Sequence, residues 1–206
     1  MPNNLVNTSN PQIILASSSA YRKELLARLH LQFIAIAPDI DESPKEAESS
    51  EQTAMRLAQE KAEAIAHRYP NSIVIGADQV ATMDGKQIGK PGDHARALEQ
   101  LQTMRGQTVI FHTALCVLSN LPQHQKQSIQ IQNCQTIVRF RNLSDTELDA
   151  YLHIEKPYDC AGSAKNEGLG IALLEQIQND DPTALTGLPL IALTSMFRNL
   201  DIKFFE

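Results

Sequence analysis

The chain holds few cysteines and no long apolar runs, and basic residues are not in excess. Cys116, Cys134 and Cys160 are odd in number and widely spaced, which fits neither a disulfide framework nor a CxxC metal site. A reducing, cytoplasmic location is the expectation that follows. No apolar run approaches the ~20 residues that a membrane helix requires, so no membrane partner is expected. Lys and Arg number 18 against 24 Asp and Glu, a net charge of −6, and this argues against general nucleic-acid binding. It leaves room for a small phosphorylated ligand. The six histidines show no HExxH or similar spacing, so a histidine-bound zinc is not expected. GxxxxGK[ST] is also absent, which removes the Walker P-loop. The opening MPNNLVNTSNPQ has neither a basic region nor an apolar core, and residues 1–12 are expected to be a polar leader, not a secretory signal.

What remains is the composition of a globular protein. At 42% hydrophobic and 20% charged, 206 residues suggest neither disorder nor a fibrous repeat. With no internal repeat and no linker, residues 13–206 are expected to form one domain. Strand and helix patterns alternate along it. Ile13–Ala16 reads as a strand that leads through Ser17-Ser18-Ser19 into a helix with Leu25, Leu26 and Leu29 at helical spacing. Ser19 is a natural N-cap there, and the helix N-terminus, with Arg22 in its first turn, is also an arrangement that holds phosphate. Phe33–Ala37 is a second short strand, followed by Asp39, Asp41 and Glu42, either a solvated acidic loop or the carboxylates of a Mg²⁺ site. A helix is predicted over 49–69, with Lys61 on the same side as Leu57 and Ile65, where it either snorkels outward or points into a cleft.

The segment IVIGADQVATMDGKQIGKP, residues 73–91, is predicted to carry the chemistry. Ile73, Val74 and Ile75 read as the end of a buried strand, placing Asp78 at the rim of a sheet. Asp84-Gly85 marks a tight hairpin between 80–83 and 86–88. That turn brings Asp78 and Lys90 toward one ligand. Residues 108–119 and 128–140 are predicted to form a long antiparallel β-pair. The glycine-rich stretch 159–170 is predicted to lead into a strand over 171–174, and a last helix spans 188–199. The fold class expected is α/β (mixed α+β), a central twisted mixed sheet flanked by helices.

These pieces together resemble the Maf family of nucleoside triphosphate pyrophosphatases. LASSSAYRKELL is similar to the family's S-x-S-x-x-R opening, PDIDES to its acidic segment and LAQEKA to the helix with its lysine. IGADQV with IGKP is similar to its central motif, and CAGSAKNEGLG with LTGLPL to its C-terminal motifs. The resemblance implies a Maf/ITPase-like fold and release of pyrophosphate after attack of water on the α-phosphorus. It implies Asp78 as general base, Asp78 and Glu42 as ligands of a divalent cation (Mg or Mn), and Lys61 and Lys90 as catalytic cations. Ser17, Ser19 and Arg22 would hold phosphates, and Tyr21, Gln79 and Glu167 would read the base. It also implies a homodimer. Within the family the chain is most similar to the branch acting on 7-methyl-GTP. The dTTP and UTP branches usually have Pro-Arg-Arg where this chain has Ala20-Tyr21-Arg22, and Gln where it has Glu167. The 7-methyl-GTP branch commonly has Trp at the position of Tyr21. Three alternatives stay open: a dTTP/UTP pyrophosphatase, a non-enzymatic nucleotide-binding regulator of cell division, and a phosphatase of the haloacid-dehalogenase type suggested by Asp39-Ile40-Asp41.

Overall fold

The computed structural model describes residues 11–205, the side chains of 125–127 excepted. Gln12 already begins the first strand, so the expected leader gives way to structure one residue early, and residues 1–10 lie outside the described residues. Among the described residues seven strands form one mixed sheet: β1 (Gln12–Ala16), β2 (Phe33–Ile36), β3 (Ser72–Met83), β4 (Lys86–Ile88), β5 (Thr108–Ser119), β6 (Ile129–Phe140) and β7 (Leu174–Gln178). Their order is β2-β1-β3-β5-β6-β7, with β4 paired to β3. β1 runs parallel to β2 and β3, and the remaining pairs are antiparallel. The helices α1 (Ala20–Ala27), α2 (Ser50–Ala66), α3 (His94–Met104), α4 (Asp145–Glu155) and α5 (Leu190–Arg198) cover the sheet. The expected long pair is β5 with β6, in register from Thr108↔Arg139 to Leu118↔Ile129.

Period-two alternation assigns the faces. Ile13, Leu15, Ile73, Ile75 and Leu115 pack with Leu25 and Leu26 of α1 and with Leu193, Met196 and Phe197 of α5. Their neighbours Ile14, Ala16, Val74 and Cys116 pack on the opposite face against Ala54, Ala58, Ala62 and Ile65 of α2. α3 and α4 close the far end over Val109, Phe111, Val138 and Phe140.

Other boundaries differ from the sequence reading as well. α2 stops at Ala66, three residues before Tyr69-Pro70; its start is set by a capping box in which the Ser49 hydroxyl takes the Gln52 N–H. α5 starts at Leu190, because Pro189 remains extended. Residues 171–173 are not strand: Gly168 and Gly170 N–H groups both return to the Lys165 carbonyl, which curls 169–173 into a 3₁₀ turn and delays β7 to Leu174.

β3 does not end at Ile75, contrary to the expectation for Asp78. It continues to Met83, and Asp78 lies mid-strand opposite Ala114 of β5. The other side of β3 carries the site. β1 pairs with it only as far as Ala16↔Gly76, and β4 begins at Ala81↔Ile88. Residues 77–80 therefore face a gap in the sheet, and a crevice opens at the carboxyl end of β1.

Candidate active site

The crevice is a cleft of about 790 Å³ lined by elements from the whole chain, among them Ser17, Ser19, Tyr21, Arg22, Glu42, Lys61, Asp78, Gln79, Lys90 and Glu167. All ten side chains singled out in the sequence therefore meet in one place. Of the three carboxylates of the acidic loop only Glu42 reaches it: Asp41 Oδ1 accepts the Ser43 N–H at 2.9 Å, and neither it nor Asp39 lines the cleft.

The centre is an ion cluster under α2. Lys61 is buried, and its Nζ lies 2.6 Å from Asp78 Oδ1 and 3.0 Å from Glu42 Oε1. So the lysine points into the cleft. Its position depends on Gly76, two residues before Asp78 and on the same face of β3. A Cβ there would meet the Ala58 carbonyl at 2.0 Å and the Ala62 nitrogen at 2.9 Å. The Ala54/Ala58/Ala62 stripe and Gly76 together let the helix backbone rest on the strand, which brings Lys61 to Asp78.

Burial raises the Asp78 carboxyl above its ordinary value of 3.8. The Lys61 ammonium, through its charge and its hydrogen bond, and the Arg22 charge pull the other way, and Glu42 adds to the rise. A buried carboxylate beside two cations, with its pKa raised by burial, suits a general base. Burial lowers the Arg22 guanidinium, against the attraction of Asp78 and Glu42. Arg22 Nε donates to the Gly187 carbonyl at 2.9 Å and Nη1 to Ser17 Oγ at 3.5 Å. The Ser19 hydroxyl takes the Arg22 N–H as the α1 cap, and the helix end opens on the cleft.

Tyr21 and Arg22 sense different charged groups in the cleft. The charges felt by Arg22 are those of Asp78 and Glu42, whereas Tyr21 senses Cys160, Lys165, Asp159 and Glu167. Burial raises the Tyr21 hydroxyl, and Cys160 adds to it. Glu167 is exposed at the rim. Desolvation by the cleft wall raises its carboxyl, offset by hydrogen bonds to its own backbone N–H and to Thr186 and by the Lys165 charge. The charges around Arg22 are thus those of the Lys61 cluster, Asp78 and Glu42, whereas Tyr21 senses Glu167 among its charged neighbours.

Gln79 lies on the other face of β3. Its Nε2 donates to Thr113 Oγ1 at 2.9 Å and to the carbonyls of Ala184 and Leu185 at 3.1 and 2.9 Å. The amide nitrogen is thereby committed to holding the 184–187 loop, and Oε1 is left for a ligand. Glu155, missed in the sequence, shapes the other loop. Its carboxylate accepts the Leu169 N–H at 2.6 Å and Lys165 Nζ at 3.2 Å, and these bonds, the first above all, hold it below the usual carboxylate range. A Cβ on Gly168 would meet that carboxylate at 2.7 Å. The absence of a side chain in the NEGLG run was the available signal.

Asp78 and Glu42 fit a divalent cation by donor chemistry. Mg²⁺ is commonly held by one or two carboxylates together with phosphate oxygens and water, and Lys61 occupies one oxygen of each acid, leaving the second.

Relatives of known name match along nearly their whole length. A 7-methyl-GTP pyrophosphatase of Ralstonia nicotianae is 60% identical over 95% of this chain and 98% of the relative. One of Cupriavidus pinatubonensis is 56% identical over 98% of this chain and 99% of the relative. Among solved structures, a nucleoside-triphosphatase (dITP/XTP pyrophosphatase) of Mycobacterium abscessus superposes with a TM-score of 0.42 at 16% identity, over 92% of this chain and 97% of that one. The Maf-like protein family matches residues 12–200. Because that match spans almost all of the chain, the whole of β1 to α5 and every side chain of the cleft named above included, the chain belongs to the Maf-like family.

Proposed function

We propose that this protein hydrolyses 7-methyl-GTP to 7-methyl-GMP and pyrophosphate. The observation that carries the reading is the division of the cleft. Lys61, Asp78, Glu42 and Arg22 form a phosphate-handling end, and Tyr21 with Glu167 forms a base-handling end. Relatives at 54–60% identity are 7-methyl-GTP pyrophosphatases by name, which supports the substrate.

Asp78 takes a proton from water as the water oxygen bonds to the α-phosphorus. The bond from that phosphorus to the α,β-bridging oxygen breaks, and pyrophosphate leaves with the bonding pair. Arg22, Lys61, Lys90 and the α1 N-terminus, with the Ser17 and Ser19 hydroxyls, are fixed donors for the charge spreading over the phosphate oxygens. A Mg²⁺ or Mn²⁺ ion held by Asp78 and Glu42 would supply further charge neutralisation. At the other end, N7 methylation makes the guanine cationic. A cation over the Tyr21 ring gains about 0.5–2 kcal/mol. The Glu167 carboxylate accepts from N1–H and the exocyclic amine together, with charge assistance. A uracil or thymine edge offers one N–H between two carbonyls, which that carboxylate repels.

The test is a panel of 7-methyl-GTP, GTP, dTTP and UTP with pyrophosphate and orthophosphate both measured. Pyrophosphate release with 7-methyl-GTP preferred is expected. Glu167→Gln should lower kcat/KM for 7-methyl-GTP by about tenfold or more relative to dTTP and UTP, since hydrogen bonds to a charged group contribute about 1.5–3 kcal/mol. Tyr21→Arg should act in the same direction. Preference for dTTP or UTP by the wild type overturns the substrate. Orthophosphate as product, or nucleotide binding without turnover, overturns the reaction.

A further inference from the structure

On the outer side of the cleft wall, α3 and α4 bring two histidines and a carboxylate onto one patch. His94 Nε2 lies 2.8 Å from Asp149 Oδ1, and His153 Nε2 lies 3.5 Å from Asp149 Oδ2. The imidazole rings stand 4.7 Å apart, and one ligand atom from each residue lies within 4.8 Å of the others. Asp149 and His153 are four apart on α4 and so share a face. His94 opens α3, and the two helices are held together by Leu101, Met104, Leu148 and Leu152 in a common apolar core. Tetrahedral ligands at about 2.0–2.1 Å from an ion stand roughly 3.3–3.5 Å apart. Small rotations of these partly exposed side chains reach that geometry.

The surroundings of His94 strengthen the case. Its Nδ1 lies 3.1 Å from the Tyr158 hydroxyl. A metal-bound imidazole normally makes such an outer hydrogen bond, donating its second N–H. With the Nδ1 proton directed at Tyr158, Nε2 turns a lone pair toward the Asp149 carboxylate, and two acceptors 2.8 Å apart require a cation or a proton between them. With the opposite tautomer the cluster is only a hydrogen-bonded pin between helices.

We propose that His94, Asp149 and His153 form a divalent transition-metal site of the zinc class, completed by water and separate from the Asp78/Glu42 pair. Two imidazoles and one carboxylate suit zinc, cobalt or nickel, whereas Mg²⁺ takes oxygen ligands. The position gives the ion a structural consequence. Tyr158 precedes Asp159 and Cys160 of the cleft wall, and its carbonyl accepts the Gly92 N–H at 3.0 Å, two residues beyond Lys90. An ion on His94 clamps together the two segments that carry Lys90 and Cys160.

The site is tested without nucleotide, and the result does not depend on the substrate assigned above. The full chain, stripped of metal with a chelator, is titrated calorimetrically with zinc, alone and in excess Mg²⁺. One zinc per chain is expected, undisturbed by Mg²⁺. Affinity should fall at least about tenfold in His153→Ala and in His94→Gln, the loss typical even of a supporting partner, and stay unchanged in Asp78→Asn. His153 is 69% exposed, so its replacement leaves the fold intact, and equal melting of the metal-free proteins checks this. No zinc binding by the wild type, undiminished affinity in both histidine variants, or loss of binding in Asp78→Asn overturns the proposal, the last by placing the ion in the cleft.

Discussion

Replacing Gly76 by alanine changes one hydrogen to a methyl group and tests how the catalytic cluster is built. The added Cβ would lie 2.0 Å from the Ala58 carbonyl oxygen and 2.9 Å from the Ala62 nitrogen, both helix backbone that cannot rotate aside. A contact of 3.0 Å is about the closest that real Cβ atoms make, so α2 must retreat from β3 by about 1 Å at Ala58. Lys61 sits on the next turn. A retreat of that size stretches its 2.6 Å bond to Asp78 beyond hydrogen-bond range, toward 3.6 Å. Overpacking of this kind costs about 1–3 kcal/mol, and each kcal/mol lowers the melting temperature of a chain this size by roughly 2–4 °C. Two measurements should therefore move together: a melting temperature lower by roughly 2–12 °C, and a kcat lower by about tenfold or more, since misplacement by about 1 Å can cost a hundredfold. Gly89→Ala is the stability control, because a Cβ there meets nothing within 4 Å. A Gly76→Ala protein with wild-type melting and wild-type pyrophosphate release would show that α2 has slack against the sheet, and the account of how Lys61 reaches Asp78 would be wrong.

Asp78→Asn keeps shape and loses the base: kcat should fall by about 10²–10⁴ with melting changed little, and turnover above about a tenth of wild type refutes the assignment. The acid limb of the kcat/KM profile should reflect the raised Asp78 carboxyl and lie above 3.8, because the base must be ionised. Removing the Lys61 charge (Lys61→Met) should move that limb to higher pH, and Glu42→Gln should move it lower. Shifts of the same sign in both variants refute the electrostatic account. Glu155→Gln should loosen the 165–170 loop, seen as faster exchange of the Leu169 amide and a higher KM; unchanged exchange would show that the carboxylate does not hold the loop.

Much of this protein is legible along the chain because local physics decides it. Ser19, Ser49, Asp93 and Ser144 each cap a helix with their own side chains, so the helix starts need no tertiary information. Asp84-Gly85 supplies the two positive φ angles of the β3–β4 turn, at 51° and 75°. Alternating apolar residues distribute the strands between their two faces. The site side chains were also legible, because they belong to the motifs that resemble the Maf family, whether they stand on a helix (Tyr21, Arg22, Lys61), on a strand (Asp78, Gln79) or on a loop. The extent of β3 was not, since a strand continues through a carboxylate only when a neighbouring strand takes its backbone bonds, here β5 from Thr82 back to Ile73.

The sequence by itself determined the helix caps, the hairpin and the set of residues that meet in the cleft, for these depend on interactions a few residues long or on motifs carried whole. Only the tertiary structure decided how they work. Lys61 reaches Asp78 because Gly76 admits the helix backbone, and Gln79 holds the 184–187 loop instead of standing free. His94 meets His153 and Asp149 only because α3 packs on α4, across 55 to 59 residues that no spacing rule spans. Each of these is a contact between elements remote in sequence, settled by which apolar faces bury together.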